Sequence, residues 1–117
     1  MKITFANNKV EKTMTDATLL VRKIGPQLAK ATIKRKNQLE SLSNIVELFA
    51  SGLDNPHWLE GNEFYGCIGW SITGNVRLIL DTGMKPNESK LDYSLSEKIK
   101  IKGVVDYHGG KNEWLIY

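Results

Sequence analysis

Cysteine is nearly absent. Cys67 is the single one in 117 residues, so no intrachain disulfide can form, and a reducing, cytoplasmic setting is the expectation. Histidine is almost as scarce. His57 and His108 are the two present, and neither belongs to a Cys/His cluster with metal-ligand spacing, so the reading assigns no metal and no cofactor. Uncharged apolar runs stay far below the roughly 20 residues that a membrane helix needs, which excludes a helical membrane span. The opening stretch, MKITFANNKVEK, lacks the apolar centre of a secretory signal. Repeats and low-complexity tracts are missing too. What is there is ordinary for a globular domain: 41% hydrophobic and 25% charged residues, enough for one core, so residues 1–117 are read as a single domain.

The formal charge is +3, and its distribution says more than its size. Residues 1–50 hold nine Lys/Arg against four Asp/Glu, and residues 51–117 hold seven against nine. Four of the first nine are Lys30, Lys34, Arg35 and Lys36, a basic run with two readings. It is a solvated helix face, or a face that docks on RNA phosphates with a salt-dependent affinity.

Hydrophobic periodicity supplies the element order. Lys2–Phe5 suits a short strand, and Asn7 or Asn8 can cap a helix behind it. Val10, Met14, Ala17, Val21 and Ile24 recur at spacings of four and three, which predicts one helix up to Gly25. Pro26 then starts a second helix running to about Leu42, with Leu28, Leu39 and Leu42 as its apolar stripe and Thr32 and Arg35 as the weak middle of that stripe. Ser43 or Asn44 can cap a short third one, Ile45–Ala50. Beyond residue 52 the texture turns to strands. Residues 64–72 and 75–81, joined through the turn signal Thr73-Gly74-Asn75, predict a hairpin. Residues 82–97 read as a loop or insertion. Residues 98–107 alternate Lys98, Lys100 and Lys102 with Ile99 and Ile101, a strand with one wet face. Residues 114–117 form one more short strand or a packed tail. Helices and strands are grouped, not alternating, so the expected class is α+β with an antiparallel sheet.

Three segments in this order resemble a known family. They are His57-Trp58-Leu59-Glu60-Gly61-Asn62, the strand holding Val76-Arg77-Leu78-Ile79-Leu80, and the terminal Val104-Val105-Asp106-Tyr107-His108. Placed after a helical hairpin, they resemble the HigB-like toxins, or plasmid maintenance killer proteins, of the RelE/ParE superfamily. The likeness covers nearly the whole chain, and residues 82–97 match the longer-insert branch. It implies a RelE-like fold, in which an N-terminal strand and helical hairpin pack on a curved antiparallel sheet. It also implies a bacterial toxin restrained by a HigA-like helix-turn-helix antitoxin, and metal-free cleavage of mRNA at the ribosome.

The resemblance carries Arg77, Asp106, Tyr107 and His108 over as site residues. RNA supplies its own nucleophile in the 2′-hydroxyl, so the protein must move protons and steady the phosphate charge. An imidazole titrating near neutrality is the natural proton carrier, which gives that part to His108. Asp106 shares a strand face with it and can orient it. Tyr107 can stack on a base, and Arg77 can hold a phosphate bidentately. This mechanism expects Arg77 and His108 to meet in one cleft.

The chain departs from the family in one stretch. Where the family has a lysine between Leu and Gly, this sequence has Glu60, and Glu63-Phe64 stands for a basic pair. A carboxylate there repels phosphate, so either Lys102, Lys111 or Lys85 takes over or the cleavage is weak. The alternatives are therefore a RelE-fold protein that only binds, and a topoisomerase-directed ParE-like toxin. The Asp-Tyr-His ending argues against the second.

Overall fold

The computed structural model describes residues 1–51, 55–84, 96–108 and 110–117, and of Asn62 the backbone alone. The chain begins with strand β1 (Lys2–Phe5) and then builds a helical layer. Asn7 opens helix α1 (Asn8–Thr15) by accepting the Val10 N–H at 2.9 Å on its side-chain oxygen. The single helix expected up to Gly25 is broken at Asp16. That residue is extended, and its carboxylate accepts the N–H groups of Thr18 and Leu19, starting helix α2 (Ala17–Ile24). The break re-phases the apolar stripe. Val10 and Met14 are buried as the spacing predicts, but in α2 the buried position is Leu20, while Val21 is 40% exposed.

Gly25, at φ +86, turns the chain, and Pro26 opens helix α3 (Pro26–Ser41), where its lack of an N–H costs nothing because a donor in the first turn has no partner within the helix. The buried face of α3 is Ala29, Thr32 and Leu39. Thr32 is tolerated inside because its hydroxyl donates to the Leu28 carbonyl at 2.8 Å. Asn44 accepts the Glu47 N–H, and the Glu47 carboxylate reaches back to the Ser43 N–H, a reciprocal cap on helix α4 (Ile45–Ala50).

Strands β2 (His57–Trp58), β3 (Cys67–Thr73), β4 (Val76–Asp81), β5 (Lys98–His108) and β6 (Lys111–Ile116) complete the molecule. Phe64 is not in a strand as expected. It closes a 3₁₀ turn at Asn62–Phe64, and Gly66 at φ +77 delays the strand to Cys67. The sheet runs β1-β5-β4-β3-β2, with β6 also paired to β5. It is mixed, which corrects the expected antiparallel sheet: β1 lies parallel to β5, from Lys2 opposite Lys98 to Phe5 opposite Ile101. The helices and the β2–β4 strands form the long crossover that parallel pairing requires.

Strand β5 is long enough to serve two neighbours on one flank. Its first residues pair with β1, and residues 104–108 pair with β6. The helices cover one sheet face, where Ile68, Trp70, Leu78, Leu80, Ile99, Ile101 and Val104 join Val10, Leu20 and Leu39 in the main core. The other face carries a smaller core of Phe64, Cys67, Ile79 and Val105, bordered by Leu59, Tyr107 and Trp114. Most of the expected insertion, residues 85–95, lies outside the described residues, and so do Leu91 and Tyr93, while Met84 packs against the main core. No helix of the described residues is long and apolar enough to cross a membrane.

Candidate functional site

The C-terminal half of β5 carries three of the residues singled out by sequence, and its register assigns each to a face. Arg77 pairs with Val105, and Val76 with Asp106. Alternation then puts Arg77, Val105 and Tyr107 on the helix-free face, and Asp106 and His108 on the opposite one. The structure therefore brings Arg77 to Tyr107, and Asp106 to His108, but it does not bring Arg77 and His108 into one cleft.

On the helix-free face, the Arg77 guanidinium carbon lies 5.6 Å from the centre of the Tyr107 ring, and one of its terminal nitrogens donates to the Ser71 hydroxyl. Tyr107 leans on Phe64 at 6.3 Å between ring centres. Its hydroxyl is buried and has no hydrogen-bond partner among the described residues. Burial pushes the phenol's pKa up. Arg77 pulls the other way, while Glu63 and Cys67 add to the rise.

On the other face, His108 Nδ1 lies 3.4 Å from Asp106 Oδ1, and its Nε2 lies 3.7 Å from Glu113 Oε2. The imidazole is half exposed at the end of the strand and sits between two carboxylates. Asp106 meets His108 as their two-residue spacing predicts. Glu113 was missed, because it arrives from β6, paired with Asp106 across the final hairpin.

The expected RNA-binding cations do not form one patch. Lys30 and Lys34 are exposed on α3. Arg35 points inward: its Nε donates to the Ser71 carbonyl at 2.9 Å, and its guanidinium lies 5.6 Å from the Trp70 ring centre. Lys36 is paired with Glu40 at 2.8 Å. Lys102 belongs to the helix-free face, and Lys111 is exposed opposite His108. Lys85 lies outside the described residues.

The stretch where a cation was expected folds over the helix-free face. Leu59 N–H bonds the Cys67 carbonyl at 3.0 Å, and Phe64 stacks on Trp114 at 5.9 Å. Glu60 is exposed. Glu63 is a tether: its carboxylate accepts the Trp114 indole N–H at 2.8 Å, and its backbone carbonyl accepts Lys102 Nζ at 3.0 Å. No sequence signal announces that tether, because its partners lie 39 and 51 residues away.

His57 and the remaining tryptophans keep structural places. His57 Nδ1 is 2.9 Å from the Asn55 carbonyl, Trp58 stacks on Phe49, and Trp70 is buried. Cys67 is buried, and that burial raises its thiol's pKa, which suppresses the reactive thiolate. Among the described residues, no three His, Cys, Asp or Glu side chains are grouped to hold a metal ion. No protein-family model, no curated protein and no solved structure matches the chain.

Proposed function

We propose that this chain is a HigB-like toxin of a type II toxin–antitoxin pair, a RelE-like endoribonuclease that cuts mRNA on the ribosome and so stops translation. The observation that carries the reading is the end of β5. There Asp106 holds an exposed His108 at 3.4 Å, and Arg77 lies over Tyr107 on the reverse side of the same strand. In this reading the RNA wraps the strand end. Arg77 holds a backbone phosphate on one side. On the other, His108 takes the 2′-hydroxyl proton as that oxygen attacks the adjacent phosphorus. The bond to the 5′-oxygen breaks, and that oxygen takes up a proton from water, leaving a 2′,3′-cyclic phosphate and a 5′-hydroxyl. Asp106 and Glu113 orient the imidazole, and Lys111, paired across the hairpin with His108, supplies the charge that Glu60 does not. A HigA-like helix-turn-helix protein is the proposed antitoxin.

A second reading, a RelE-fold protein that binds its target without cutting it, is favoured by one arrangement: His108 stands between two carboxylates and on the opposite face from Arg77. Purified protein added to a translating extract separates the two. The nuclease reading expects cuts at the ribosomal site, reduced roughly 10²–10⁴-fold by His108→Ala, the range for one positioned acid or base. Arrested translation with intact mRNA, unchanged by His108→Ala, leaves the binding reading in its place.

A further inference from the structure

Strands β1 and β6 pair with the same flank of β5 and meet near its middle, where Lys102 lies in the register gap between Ile101 and Gly103. Gly103 makes this seam possible. A Cβ on it would overlap the Ile116 carbonyl oxygen and press on the Trp114 ring, so only glycine lets the end of β6 come so close to β5. Between the two strand ends lies a cavity of about 290 Å³, lined by Ala6, Asn7, Lys102, Trp114 and Tyr117.

The lining is unusual for so small a surface. The Tyr117 ring is 57% exposed, whereas the other aromatic of the cavity, Trp114, is fixed by Glu63 and Phe64. One lysine lies over the exposed ring and a second lines the cavity. Lys9 Nζ lies 4.6 Å from the Tyr117 ring centre, and Lys102 Nζ is held by the Glu63 carbonyl. Asn7 keeps its side-chain oxygen on the Val10 N–H, which leaves its amide nitrogen as the group able to donate. A flat ring surface beside two cations is the combination that takes a base together with its phosphate.

We propose that this seam is a subsite for a single nucleotide unit, with the base against Tyr117 and the phosphate between Lys9 and Lys102. It lies at the other end of β6 from His108, so it would hold RNA away from the point of cutting. The choice of RNA rests on the toxin reading above, but the subsite itself does not.

The test uses the full chain, a fluorescein-labelled single-stranded hexaribonucleotide read by anisotropy, and adenosine 5′-monophosphate as competitor. Tyr117 and Lys9 are both exposed, so variants at both leave the core intact. Tyr117→Ala is expected to weaken hexamer binding on the order of tenfold, with Tyr117→Phe restoring it. Lys9→Gln is expected to lower the slope of log affinity against log salt by about 0.7, the value for one phosphate on a single strand. Competition by the mononucleotide assigns the subsite to free nucleotides; its absence assigns it to nucleotides within a strand. Failure of the wild type to bind the hexamer, or binding unchanged in both variants, overturns the subsite. The toxin reading fails separately: Tyr117-dependent binding without cuts in mRNA removes the nuclease and leaves the subsite standing.

Discussion

The two faces of the sheet divide the work of the molecule. Leu78 and Ile79 are neighbours on β4, both fully buried, yet they belong to different worlds. Leu78 enters a core whose buried members are aliphatic side chains, one methionine and one tryptophan, under four helices. Ile79 enters a small cluster whose borders are Tyr107, Trp114 and Leu59, with Arg77, Lys102 and Glu63 beside it. The first face is closed chiefly by apolar packing, with Arg35 reaching across to Ser71 and Trp70. The second is closed by a short segment held through a handful of directional contacts, which leaves polar chemistry at its rim. The helix-covered face holds most of the buried apolar side chains, and Arg77, Tyr107 and Lys102 lie on the other.

The sharpest way to break that contrast is a matched pair of truncations. Leu78→Ala is expected to lower the unfolding free energy by about 2–5 kcal/mol, and Ile79→Ala by about 2 kcal/mol, because the thinner cluster can relax into the space. Urea denaturation of both variants measures the difference, and equal losses would mean that the two faces contribute alike. Gly103→Ala comes next. Its Cβ has no room against β6, so a loss of about 1–3 kcal/mol is expected. Amide exchange should rise along Lys111–Ile116 and stay low in β3 and β4.

Smaller effects sharpen the picture. Asp16→Ala removes the cap that splits α1 from α2 and should cost about 1 kcal/mol, with helical circular dichroism reporting whether the two segments fuse. Tyr107→Phe should raise stability by about 1 kcal/mol, since it deletes a buried hydroxyl that has no partner among the described residues. If the same variant loses RNA cleavage, that hydroxyl is retained for function at the expense of the fold. The smallest effect is alkaline. Burial raises the pKa values of both the Cys67 thiol and the Tyr107 phenol, so the folded chain holds those protons more tightly than the unfolded one. Stability is then unchanged below the ordinary thiol value of 9.0. It declines as pH climbs past that and past 10.0 toward the raised folded-state values, a trend that denaturation at stepped pH would follow.

How much was legible in the chain depends on the range of the interaction that decides it. The Gly25-Pro26 turn, the Asn44 cap and the hairpin around Gly74 were all readable, because each is set by neighbours within a few residues. The break at Asp16 was readable in principle, since an aspartate before Ala-Thr-Leu is a cap signal, but the apolar spacing across it masked the interruption. Arg35 carried two expectations, the weak middle of the α3 stripe and a place in the basic run. Its charge suggests solvent, while its long side chain reaches back to Ser71 and Trp70. The pairing of Asp106 with His108 followed from strand alternation, but Glu113 joined them only through the last hairpin.

By itself the sequence determined the α+β grouping, the positions of the helix caps and turns, and which residues could carry charge or a proton. Those properties come from backbone conformation and side-chain chemistry acting over a few residues. The tertiary structure alone decided that β1 runs parallel beside β5, that Glu63 ties down Trp114, and that the guanidinium of Arg77 and the imidazole of His108 stand on opposite faces. These depend on strand order and register, and a shift of one residue in pairing turns every side chain to the other side of the sheet.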